Sequence, residues 1–113
     1  MAKNDIIEVA KTWGKEVWIV NNNKYCGKLL CIKKDALSSC HYHKEKQETF
    51  YALDGQVFLT IEDKDYMLNP FSRPKTILPN QKHLFRGITD ATILEISTHH
   101  DEKDVYRITE SQG

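Results

Sequence analysis

Between residues 56 and 62 the chain reads QVFLTIE, with Val57, Leu59 and Ile61 on one parity and Phe58, Thr60 and Glu62 on the other. A period of two fits a strand with one buried face and cannot be satisfied by a helix. Comparable runs occur at 16–21 (EVWIVN), 27–34 (GKLLCIKK), 48–53 (ETFYAL), 75–78 (KTIL) and 91–98 (ATILEIST), each followed by a turn signal. Turns every 8–12 residues or so predict an all-β sandwich or barrel. Asp54-Gly55 suits a tight hairpin, because glycine takes positive φ without steric cost. No segment holds helical periodicity over three turns, so any helix is short and peripheral.

Composition narrows the function classes. At 113 residues the chain is expected to form one domain, 1–113, with a modest core. Sixteen basic and sixteen acidic side chains cancel, so no nucleic-acid partner and no acidic membrane surface are expected. No apolar run reaches signal-peptide or membrane-spanning length, and the expected location is cytoplasmic. Cys26, Cys31 and Cys40 lack metal-type or redox-type spacing and read as reduced thiols.

The chemistry gathers at CHYHKEKQETFYALDG, residues 40–55. On a strand, His41 and His43 project from the same face about 6.6 Å apart, while Tyr42 projects from the other. Glu48 can add a carboxylate if the chain bends at KEKQ, and His83, after the turn-like LPNQK, can reach the same point from a distant strand. Three neutral imidazoles and one carboxylate suit a divalent transition metal (Mn, Fe, Zn, Ni or Co) and suit Ca or Mg poorly. By parity, Phe50 and Ala52 accompany Glu48, and Phe85 accompanies His83, giving the site apolar walls. The runs KEK and EDKD read as solvated hairpin tips, Glu95 as solvent-facing, and His99-His100 as an exposed loop outside the metal set.

The spacing His41, one residue, His43, four residues, Glu48, six residues, Gly55, with Pro79 and His83 downstream, resembles the paired motifs of the cupin superfamily. The second motif departs from the family pattern: Pro79 lies one residue closer to the histidine, Asn80 replaces a glycine, and Gly87 replaces a later asparagine. Asparagine tolerates left-handed backbone well enough to keep that turn. Trp13-Gly14, Glu95-Ile96-Ser97-Thr98 and Asp104-Val105-Tyr106-Arg107 are similar to the ends of small cupins related to mannose-6-phosphate isomerase domains. That group often has Gln at the place of His41 and continues into a tail missing after Arg107.

The resemblance implies a cupin double-stranded β-helix, a small jelly-roll barrel with a metal in its mouth. It further implies a sugar or sugar-phosphate isomerase working through a metal-stabilised enediolate, with Glu95 or Lys28 as acid/base. Two other readings use the same ligands: an iron-dependent dioxygenase, and a non-catalytic sugar- or metabolite-binding module. A homodimer is expected, since Trp13 and Trp18 on an N-terminal strand exceed the apolar surface that so small a barrel buries.

Overall fold

Every second residue is buried over 26–32, 48–52, 57–61 and 91–97, and this alternation lets two antiparallel sheets pack against each other. The computed structural model describes residues 5–113. The larger sheet holds β1 (Ile7–Lys11), β2 (Gly14–Asn21), β3 (Cys26–Ile32), β10 (Ala91–Ser97), β5 (Glu48–Asp54) and β8 (Lys75–Ile77), in that order. The smaller holds β11 (Tyr106–Arg107), β4 (His41–Tyr42), β9 (His83–Gly87), β6 (Val57–Ile61) and β7 (Lys64–Leu68). A single 3-10 turn, Glu102–Asp104, precedes β11. No helix among the described residues is long and apolar enough to cross a membrane.

The inward residues change character along the strands. One rung of the larger sheet carries Leu30, Ile93 and Ala52, all buried. Together with Val57 and Leu59 of β6 they form the dry core. The next rung carries Lys28, Glu95 and Phe50, and the one after it Cys26, Ser97 and Glu48. The fold therefore has an apolar end and a polar end, and the register lines the polar residues up across three strands.

Two expectations about local structure are corrected. Asp54-Gly55 does form a left-handed turn, with Gly55 at φ 77°, but no hairpin: β5 pairs with β10 and β8, and β6 with β9 and β7. The turn carries the chain from one sheet to the other, which alternation cannot distinguish from a hairpin because both corners demand the same backbone. The expected single N-terminal strand is a hairpin, β1 paired with β2. Its turn puts Trp13 in the core, 4.9 Å edge-on to Phe85, while Trp18 is half-buried beside Lys28. Neither tryptophan is the surplus apolar surface that motivated the homodimer.

Asn80 sits at φ 71°, in the left-handed conformation expected of it. Its N–H donates to His43 O at 2.6 Å, tying the turn before one histidine to another.

Candidate functional site

At the polar end, β4 delivers His41, the residue after it is His43, and β9 delivers His83, directly opposite His41 in the ladder. One ligand atom from each of the three rings lies within 4.8 Å of the others. Parity explains the convergence: Tyr42 points away and stacks on Tyr106 at 5.2 Å. Glu48 opens β5 from the facing sheet, and its Oε2 lies 3.2 Å from His43 Nε2 and 3.2 Å from His83 Nε2. The four residues expected to share a site are thus brought together, with Glu48 touching two of the three imidazoles.

The protonation pattern follows from the partners on the far side of each ring. His41 Nδ1 meets Ser39 O at 3.0 Å, His43 Nδ1 meets Asp104 O at 3.1 Å, and His83 Nδ1 meets Gln81 O at 2.9 Å. A backbone carbonyl only accepts, so each ring carries its proton on Nδ1 and turns an Nε2 lone pair inward. Burial first, then the neighbouring rings of His83 and His43, pull the His41 pKa down to about 3. Burial raises the Glu48 carboxyl; the charge of Lys46 works the other way and favours the ionised, acceptor-only form.

Glu48 Oε2 and His83 Nε2 are buried without a hydrogen-bond partner. Lone pairs from three nitrogens and a carboxylate oxygen therefore converge with no proton donor between them, an arrangement that costs free energy unless a cation occupies its centre. Two atoms bonded to one ion at about 2.1 Å sit about 3.0–3.4 Å apart, which brackets the separations to Glu48. The residues fit a divalent transition ion.

Behind this cluster lies a buried charge network that alternation left out. Lys46 is 3 % exposed. Its Nζ lies 2.7 Å from Glu95 Oε2, 3.8 Å from Glu48 Oε1 and 2.9 Å from His100 Nδ1. Glu95 and His100 are buried as well. Lys44 and Glu45 of the KEK run are exposed as expected, but Lys46 is not, and the expectations of a solvent-facing Glu95 and an exposed His100 are overturned. Lys46 lies two residues before Glu48, so the parity that turns Glu48 inward was a usable signal. His100 offered none, since its position depends on a loop held by Asn21. His99 is exposed and bonds Asn22 O, outside the site as expected.

Burial and the Glu48 charge raise the Glu95 pKa against the opposing pull of Lys46 and Lys28. Burial and the Lys46 and Lys28 cations pull His100 down to about 4. Lys28, 1 % exposed, also faces the cavity, but its ammonium is committed to Glu16 at 3.3 Å and lies 4.2 Å above the Trp18 ring. The lysine that touches Glu95 is Lys46. These groups, the walls Phe50 and Phe85 and the three imidazoles line one cavity of about 80 Å³.

No protein-family model matches the sequence, and no curated protein matches it. Solved structures do match. A Streptomyces PAC13 variant with uridine superposes with a TM-score of 0.81 at 13% identity, covering 97% of this chain and 93% of that one. Pac13 is described as a unique nucleoside dehydratase. KdgF from Halomonas sp. gives a TM-score of 0.76 at 12% identity, over 88% of this chain and 89% of its own. The chain has the cupin fold. CapF, a capsular polysaccharide assembling protein from Staphylococcus aureus, shares this cupin fold over 92% of the present chain but only 32% of its own (TM-score 0.75, 14% identity). In this fold the three-histidine cluster lies between the two sheets, where the inward stripes of β4, β5 and β9 meet.

Proposed function

We propose that this cupin is a metal-dependent enzyme that moves a proton on a small carbohydrate, as an isomerase of a sugar or sugar phosphate. The observation that carries the reading is the pairing of a donor-free ligand cluster with an independent acid/base group in one cavity. His41, His43, Glu48 and His83 would hold the ion. When bound there, the ion supplies electrophilic polarisation of a substrate oxygen.

The rest belongs to the chain's own residues. Glu95 receives Lys46 and Ser97 on Oε2, which leaves Oε1 to take or return a substrate proton. Its raised pKa brings it closer to the working range of a general base. Lys46 stays beside it as a fixed positive charge that stabilises the carboxylate before the proton arrives. Phe50 and Phe85 restrict water, so the proton on Glu95 is partly shielded and exchanges with solvent in only a fraction of turnovers. The small cavity suits a small substrate, or the reactive end of a larger one, and the polysaccharide assembly of CapF and the nucleoside dehydration of Pac13 point to carbohydrate-bearing molecules.

Metal analysis followed by a sugar and sugar-phosphate panel in deuterated water tests the proposal. Deuterium should enter the product at the carbon next to the carbonyl, and Glu95→Gln should cut turnover by about two to four orders of magnitude with metal content unchanged. Full activity in Glu95→Gln removes Glu95 from the mechanism. The likeness to Pac13 favours one second reading, elimination of water, which the same assay separates because it yields an unsaturated product that absorbs in the ultraviolet. A ligand that raises the melting temperature only with metal, and never turns over, favours the binding module.

A further inference from the structure

The segment that carries the ligands, residues 40–48, is laced to the C-terminal segment 98–109 almost residue by residue. Cys40 N–H donates to Thr109 Oγ1 at 3.0 Å, and Cys40 O accepts from Ile108 N–H at 2.7 Å. His41 and Tyr42 pair with Arg107 and Tyr106. Gln47 exchanges two bonds with Thr98, at 3.1 and 3.0 Å.

Between these anchors one residue does most of the tying. The Asp104 carboxylate accepts the N–H groups of Lys44 at 2.8 Å, Glu45 at 3.2 Å and Lys46 at 3.1 Å. Its backbone oxygen accepts His43 Nδ1–H. Burial opposes ionisation, but those three N–H groups outweigh it and hold the Asp104 carboxyl below its usual range.

We propose that Asp104 is the positioning residue of the metal centre, so that closing the C-terminal segment over the ligand loop and binding the ion are one coupled event. The inference rests on the metal reading above and assigns it a part that no ligand plays. Four residues separate His43 from Glu48, and all of that backbone must be held if ring and carboxylate are to meet. Asp104 grips three of its four amides with the side chain and fixes the tautomer of His43 with the main chain. Removing the carboxylate frees the loop while leaving every ligand in place. Coupling is reciprocal: if the clasp raises affinity for the ion, the ion must tighten the clasp.

The test compares wild type, Asp104→Ala and Asp104→Asn as full chains, with cobalt(II) as the probe because its visible absorption reports ligand geometry. Chelator competition should show affinity weakened about 10–100-fold in Asp104→Ala, the usual cost of losing an outer partner of a ligand, with changed visible bands. Asp104→Asn, which retains one acceptor oxygen, should fall between the two and cover the case in which the alanine variant fails to fold. Hydrogen exchange should show the Lys44, Glu45 and Lys46 amides protected further when cobalt binds to wild type, and not in Asp104→Ala. Wild-type affinity and spectrum in a folded Asp104→Ala overturn the proposal. If wild type takes up no cobalt, the metal reading fails on its own. Amide exchange in the metal-free proteins then judges the clasp: lost protection in Asp104→Ala supports it, and unchanged protection overturns it.

Discussion

Lys46 shows how far one residue departs from its sequence surroundings. It stands in a run of alternating charges, yet its ammonium sits among Glu95, Glu48 and His100 with almost no contact with water. Burial alone would lower its pKa; the two carboxylates raise it instead. Replacing one partner of such a pair leaves the other charge uncompensated, which costs about 3–5 kcal/mol. Lys46→Met should therefore lower the unfolding free energy of the metal-free protein by that amount, read from urea denaturation. A surface lysine in a solvated tip would cost within about 0.5 kcal/mol, and a change that small would place Lys46 outside the buried network.

At the scale of elements, the corner between β5 and β6 decides whether two sheets can face each other. Gly55 holds φ 77°, and a Cβ there would run into Asp90 O and Ala91, the residues that lead into β10. Left-handed backbone costs a non-glycine residue about 1–2 kcal/mol before any contact is counted. Gly55→Val should destabilise by at least about 2–4 kcal/mol, because the clash is with main chain that cannot step aside. Thermal denaturation measures it, and a loss below about 1 kcal/mol would mean the corner relaxes. The glycine was legible from its motif. The corner's role was not, because β5 finds its partners, β10 and β8, elsewhere along the chain.

Across the whole molecule, the outer face of the larger sheet stands out by what it lacks. The outward positions of β3, β10 and β5 carry Leu29, Leu94, Tyr51 and Leu53, with Ile96 58 % exposed and no charged side chain until Asp54. A one-sided antiparallel sheet normally turns polar residues to water. A second copy packed face to face on this surface would cover it, and two neutral faces meet without like-charge repulsion. We propose this face, and not the tryptophans, as the surface on which a homodimer would form. Ile96→Arg should convert a dimer to a monomer in analytical ultracentrifugation while leaving the fold intact by circular dichroism. A wild type that stays monomeric across a concentration series, or an Ile96→Arg dimer, would discard this face.

The existence of β2, β3, β5, β6, β8 and β10, the inward parity of Val57, Leu59 and Ile61, and the convergence of His41 with His43 all follow from a period of two, which the sequence carries in itself. The spacing to Glu48 and His83 followed from the motif, and the left-handed turn at Asn80 from the conformational tolerance of asparagine. Pairing did not follow, because a strand's alternation is the same whichever strand lies beside it. Only the tertiary structure placed Lys28 opposite Glu95, carried His100 from a loop into the cavity wall, and set Asp104 under the amides of a loop some sixty residues earlier. Each depends on a charge finding its partner across the fold, and long-range electrostatics leave no periodic trace along the chain.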